Sequence, residues 1–421
     1  MKKTILITLL TVLFVGAGCV VGQKNSAISL ESQTETRVPS VKVADVVIPD
    51  TSPQAAPIKE EAVRYFPPPT TDLTGPKLGT QRVPGTSEIG DIHQMYFYAP
   101  GDVLFMTVTE PDGLRALWRL NANGKAERVM AASNGGGDLA IFNDSQGNLY
   151  FQHERPCKLY RSADGFKTWR EVIQGPCMFW AMADDGKGTV YATLHDWNTA
   201  TVYRSPDGGF SWEVWKDFQK LFPEYAAQYD SKDNRFKLRH LHDIIYDAAN
   251  RLFIVGTGDV ARFAMQSLDD GETWHKLWDE GFTAHLHIGN GRYLLGPDQL
   301  HSHGIVLYDV KKGTVKEVWN PKAYGYAGYV YSMINAEGVY YAAIHTESNE
   351  VESVVPKFGV IASLDGERWY RFLEWGPLTH HARTDVMLAN APGVVYASVN
   401  GALYAFRPLD KKWFVGKEPF K

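Results

Sequence analysis

The residues best suited to chemistry in this chain are its histidines, thirteen in all, and their spacing is not random. The stretch "RHLHDIIYD" places His240 and His242 two apart, and "AHLHIGN" repeats the pattern with His285 and His287, 45 residues later. Residues two apart on a strand point to the same side, so each pair offers two imidazoles to one surface. His93, His380 and His381 stand before other apolar runs, the last two in "HHARTDV". His153, His195 and His345 close runs of the form "LYFQHER", "VYATLHD" and "YYAAIHT", and Asp259 and Asp298 close two more. Neutral imidazoles beside a carboxylate suit Zn or Mn, and His242, His287 and Asp259 are the expected metal ligands. No tight HxxxH spacing accompanies them. The same inventory suits proton transfer, with histidine and tyrosine as base and acid in β-elimination on a uronate polysaccharide. His240, His242, His285, His287, Tyr326 and Arg383 are then the catalytic candidates. His153, His195, Asp259, His345, His380, His381 and Arg239 complete the expected ligand site, the arginine suited to holding a carboxylate.

What must position these residues is a repeat. "YRSADGFKTWREV", "YRSPDGGFSWEVW", "MQSLDDGETWHKLW" and "IASLDGERWYRF" share the skeleton Ser-x-Asp-x-Gly-x-Thr/Ser-Trp, one residue shorter in the last. Their tryptophans, Trp169, Trp212, Trp274 and Trp369, are separated by 43, 62 and 95 residues. The last gap is two periods, and "LYDVKKGTVKEVW" supplies a degenerate copy with Val315 in place of the Trp. Weaker copies are "LWRLNANGKAERV" before the first clear one and "YAFRPLDKKWFVG", with Trp413, at the end. Two β-like runs precede each motif, such as "HDIIYDA" and "RLFIVGTG". Four short strands at a period of roughly 40 to 50 residues, repeated seven times, predict an all-β chain folded as a β-propeller of seven four-stranded blades.

The Ser-x-Asp-x-Gly-x-x-Trp string resembles the Asp-box, or BNR repeat, of sialidase-like propellers, over residues from about 90 to 415. That resemblance implies the fold more than an activity, because hydrolases, sortilin-type receptors and photosystem assembly factors all carry the motif. It implies a tight hairpin between the third and fourth strands, with Ser and Asp bonding the turn's own backbone and Gly supplying positive φ. Asp164, Asp207, Asp269 and Asp365 are accordingly expected to be structural. The opposite face then collects nearly every histidine, with His275 the exception. One reading is a binding site of convergent polar groups; the other is imidazoles that fill a polar channel and bond carbonyls. A sialidase mechanism fits poorly, since the arginine triad is missing and "QRVPG" is only a faint match to the family's Arg-Ile-Pro.

The remaining sequence sets the compartment. Lys2 and Lys3, the apolar run to Val15 and the string Gly16-Ala17-Gly18-Cys19 resemble a bacterial lipoprotein signal over residues 1–19, which implies lipidation at Cys19 and a place in the cell envelope. Residues 20–85, rich in Ser, Thr and Pro, are expected to form a flexible tether, with the propeller over 86–421. In an oxidising compartment Cys157 and Cys177 suit a disulfide. A net charge of -5 argues against a nucleic-acid partner. The reading is of an exported, membrane-anchored monomer that recognises, and in one version cleaves, an acidic polysaccharide or other glycan. If it is an enzyme, it is a glycoside hydrolase or polysaccharide lyase, with Zn or Mn as its metal. The alternative is a non-catalytic binding or assembly scaffold of the cell envelope.

Overall fold

The computed structural model describes residues 81–83, 86, 89–131, 140–153, 157–175, 178–196, 198–227, 229–230, 235–298, 304–324, 329–345, 358–375, 386–399 and 401–420. They form seven four-stranded antiparallel sheets and one two-stranded ribbon. The innermost strands are Asp91–Tyr98, Ala140–Asn143, Phe179–Asp184, Leu241–Asp247, Phe282–His287, Tyr329–Ala336 and Val386–Ala391. Each touches the next, and the last returns to the first, which closes a seven-bladed β-propeller.

The blade strands are short runs rich in Val, Ile, Leu, Tyr and Phe, types that fill a pleated surface buried on both sides. The core is correspondingly divided into seams between blades. Ile245, Ile254 and Ala264 of blade 4 pack on Phe282, Leu295 and Tyr308 of blade 5. Ala284, Leu294 and Ile305 of blade 5 pack on Val330, Ala342 and Ile361 of blade 6.

The ring is closed by both ends of the described chain. Blade 7 consists of Val386–Ala391, Val394–Val399 and Ala402–Phe406, and its outer strand is Gln81–Arg82, paired to the third through Gln81 with Ala405 and Arg82 with Tyr404. A blade strand thus lies ahead of residue 86, where the sequence placed the start of the propeller. The weak terminal repeat has a different structure from the one expected. Lys411–Phe414 is a turn of 3-10 helix, and Trp413 packs on Phe372 instead of marking a hairpin.

The serine–aspartate turns hold themselves together as their residue types require. In blade 3 Gly209 N donates to Ser205 Oγ at 2.7 Å, and Ser211 N donates to Asp207 Oδ1 at 2.8 Å. Blade 4 repeats this with Gly271 N to Ser267 Oγ at 2.8 Å and Thr273 N to Asp269 Oδ1 at 2.9 Å. Blade 2 does so through Ser162, Asp164 and Thr168, and blade 6 through Ser363, Asp365 and Arg368. Gly209 has φ 87, and a Cβ there would lie 2.4 Å from Tyr150 Cε1 of the preceding blade, so both backbone and packing require glycine. Trp212 sits against the same Tyr150, sealing the seam between blades 2 and 3.

Candidate functional site

In the meander of a blade, the turn joining the first two strands and the turn joining the last two fall at the same end. Asp270 N donates to Arg251 O at 3.1 Å, tying those two turns together in blade 4. The residues that begin the inner strand and end the second strand therefore lie at the other end.

At that other end five of the seven inner strands share an irregularity. The ladder to the second strand slips by one residue, so that the extra residue is His93 in blade 1, Trp180 in blade 3, Thr283 in blade 5 and Tyr331 in blade 6, and the step holds His242 and Asp243 in blade 4. Such a bulge re-aims a side chain out of the ladder. The second strands continue one rung further there: His195 N donates to Met178 O at 2.6 Å, Gly258 N to His240 O at 3.4 Å and Asp298 N to Gly281 O at 3.3 Å. The bulge residues and these end residues meet.

Blades 3 and 4 bring His195, His240 and His242 together, with a potential ligand atom of each within 4.8 Å of the others. The ring centroids of His195 and His240 are 4.2 Å apart and those of His240 and His242 are 4.9 Å apart. His240 is 1% exposed and His242 3%. Trp180 closes one side, its ring centroid 4.5 Å from His195 and 5.2 Å from His242. Tyr331 of blade 6 meets the edge of Trp180 at 6.0 Å. Gly258 lies beneath the imidazoles: a Cβ there would fall 2.3 Å from His242 Nε2 and 2.6 Å from His240 Nε2.

Carboxylates surround this cluster. Asp298 Oδ2 of blade 5, itself buried, lies 2.9 Å from His242 Nδ1. Asp259 Oδ2 lies 3.1 Å from His240 Nε2 and also pairs with Arg239. Asp259 adopts φ 59, the left-handed conformation that Asp tolerates better than most residues. Deeper in the channel, Asp243 Oδ2 meets His285 Nδ1 at 2.7 Å. Burial, and then the neighbouring His240 and His242, push the His195 pKa well below the usual histidine value. Burial likewise lowers that of His240, against the pull of Asp259. For Asp259 burial acts upward, but the bonds to His240 and Arg239 outweigh it and hold the carboxyl far below its usual range. His285 is the opposite case: burial acts downward and Asp243 outweighs it, raising the pKa. The shifts of His195 and His240 both favour the neutral imidazole, the form that ligates metals and accepts protons.

The histidines expected to act together are only partly gathered here. His240, His242, His195, Asp259 and Arg239 share the site. His287 does not. It is the last residue of Phe282–His287, exposed, at the end that carries the serine–aspartate turns, and its ring stacks on Tyr293 at 4.8 Å. The expected metal set of His242, His287 and Asp259 therefore does not form. The two His-Leu-His strings fall on different rungs. His242 matches Thr283, and His285 matches Ile244, because blade 5 begins three residues before its first imidazole. His153 is buried within blade 2, stacked on Tyr160 at 5.0 Å. His93 in blade 1 bonds Thr109 Oγ1 at 2.7 Å. His345 ends the strand Val339–His345, at the rung His195 occupies in blade 3. Cys157 is disulfide-bonded. Cys19, Cys177, Tyr326, His380, His381 and Arg383 lie outside the described residues.

Trp180, Tyr331, Gly258 and Asp243 belong to the site without having been singled out in the sequence, and so does Asp298, noted there only as closing a run beside Asp259. The signal available was positional: Trp180, like His242, stands one residue after the apolar residue that opens an inner strand, and Tyr331 one residue after Val330 near the start of its own.

No protein-family model and no curated protein sequence matches the chain. Among solved structures, a chain of the mitotic checkpoint complex is similar, with a TM-score of 0.54 and 10% identity over 85% of this chain and 100% of that one. YCF48 from Cyanidioschyzon merolae is similar with a TM-score of 0.52 and 13% identity, over 78% of this chain and 98% of that one. The WD40 propeller domain of Doa1 gives a TM-score of 0.45 and 13% identity, over 80% and 98%. For the first two, at these identities, the likeness is one of fold.

Proposed function

We propose that the protein is an exported, lipid-tethered propeller of the Asp-box type that recognises carbohydrate at the imidazole-lined end of its channel. The observation that supports this reading is the meeting of Trp180 and Tyr331, both partly exposed, with His195, His240 and His242 at one point. Aromatic rings beside a few fixed polar groups are the usual make-up of a ligand site, and the flat faces of sugars suit such rings.

The carboxylates argue against glycoside hydrolysis. That reaction uses two carboxyl groups, one as acid and one as base or nucleophile. At this site Asp298, Asp259 and Asp243 are each engaged by a histidine, and Asp259 also by Arg239. Recognition without hydrolysis is the form of the proposal that fits them. Any cleavage would rest on neutral imidazole as a base, the chemistry of β-elimination.

A glycan array with the untagged protein tests the reading, followed by absorbance at 235 nm for unsaturated product on each bound uronate polymer. Binding lost in Trp180→Ala, with the fold retained by circular dichroism, supports the proposal. An array empty of acidic and neutral glycans alike ends it. An envelope scaffold that binds protein would then be the reading left.

A further inference from the structure

We propose that His195, His240 and His242 form a three-imidazole site for one divalent transition-metal ion of the Zn(II) type. This does not depend on carbohydrate recognition, and its test reads the metal alone.

The donors are three nitrogens from two adjacent blades, with one candidate ligand atom from each within 4.8 Å of the others. An all-nitrogen set selects against Mg(II) and Ca(II), which take oxygen ligands, and suits Zn(II), Cu(II) or Ni(II). Zn–N bonds of about 2.0–2.1 Å put tetrahedral ligand nitrogens about 3.4 Å apart, so the rings need to close by roughly 1 Å around an ion. That approach falls chiefly to His195, which is partly exposed, while His240 and His242 are buried and held in place.

One of the rings already has the outer partner that a ligating histidine uses. Asp298 faces His242 Nδ1 at 2.9 Å, which leaves the Nε2 edge toward the cluster. A carboxylate in this position fixes ring orientation and raises ligand basicity. Asp259 instead lies 3.1 Å from His240 Nε2, at the rim of the gap itself. Gly258 keeps the gap open, because any side chain there would enter the space that His242 Nε2 and His240 Nε2 both face. Trp180 packs on His195 and His242, walling the site on the remaining side. Three protein ligands leave a tetrahedral ion one position for water or an incoming oxygen, the arrangement of open rather than structural sites.

The experiment uses the full chain, purified without a polyhistidine tag and dialysed against a chelator. Zn(II) is titrated calorimetrically, and Co(II) is added separately to read the visible absorption of a tetrahedral nitrogen site. The proposal expects one Zn(II) per chain at sub-micromolar affinity, no displacement by excess Mg(II) or Ca(II), and a tetrahedral Co(II) spectrum. Asp298→Asn keeps all three ligands and is expected to weaken Zn(II) by about 10–100-fold. His195→Gln, at a partly exposed position, is expected to abolish the tight site and the Co(II) band. Should His195→Gln fail to fold, the wild-type titration and Asp298→Asn decide the matter. Absence of saturable Zn(II) binding by the folded wild type overturns the proposal, as does binding unchanged in both variants.

Discussion

Replacing Gly258 with alanine adds one methyl group where the site has no room for it. The new Cβ would lie 2.2 Å from His242 Cε1, 2.3 Å from His242 Nε2 and 2.6 Å from His240 Nε2, where ordinary contact begins near 3.4 Å. At least one ring must move by about 1 Å, well beyond what packed side chains absorb without cost. Neither ring moves easily: His242 is held by Asp298 at 2.9 Å and packed on Trp180, and His240 is fully buried beside Asp259. Overpacking of this kind costs about 1–3 kcal/mol. Loss of glycine freedom in the unfolded chain offsets about 0.4–1 kcal/mol of that. The net expectation is a destabilisation of about 1–2 kcal/mol, read as a lower urea midpoint at unchanged slope. The decisive arm is the double variant with His242→Ala. Removing the imidazole removes the two closest contacts and leaves the one to His240 Nε2 at 2.6 Å, so Gly258→Ala should cost less in that background, with a coupling energy of at least about 0.5 kcal/mol. Strict additivity, or a Gly258→Ala protein as stable as wild type, would show that the glycine does not abut the imidazoles and would refute the geometry of the site.

Three further outcomes follow from the structure. The serine–aspartate turns should make the fold acid-sensitive. Bonds from Ser267 and Thr273 lower the Asp269 pKa, and in Asp164, Asp207 and Asp365 similar bonds outweigh the opposing effect of burial. A carboxylate whose folded pKa is depressed stabilises the fold above its unfolded value of about 3.9 and loses that contribution as pH falls below it. Thermal midpoints should accordingly fall below pH 4, less steeply in an Asp207→Asn variant. Removing the chain up to residue 89 deletes the outer strand of blade 7 with buried Val83 and Ile89, and should cost about 3–6 kcal/mol by equilibrium unfolding. His287→Ala, distant from the imidazole cluster and exposed, should leave both Zn(II) affinity and glycan binding unchanged, checked by the same titration and array.

Much of this architecture is legible in the sequence because blade formation is local and repeated. Each Ser-x-Asp-x-Gly turn encodes its own hydrogen bonds, so four good copies are enough to set the period and the blade count. The two places where the repeat misleads are those where local pattern ceases to determine pairing. Trp413 stands in a string that resembles a hairpin, but the outer strand of blade 7 comes from Gln81–Arg82, some three hundred residues away along the chain, and no local signal links them. The site is legible only in part for a related reason. A period read from His-Leu-His strings aligns His242 with His287, whereas the bulge and the strand start align it with Thr283. Period-2 alternation makes a shift of one or two rungs decisive for what a side chain faces. Asp298 and Gly258 are single residues whose roles exist only once three blades are side by side.

The measurement that bears most directly on the account is anomalous diffraction at the zinc edge from crystals of the untagged protein soaked in Zn(II). The account predicts one strong peak bounded by His195, His240 and His242, with Asp298 still bonded to the far nitrogen of His242 and Trp180 against the rings. A map in which those three imidazoles point apart, or in which the ion sits elsewhere on the propeller, would contradict it.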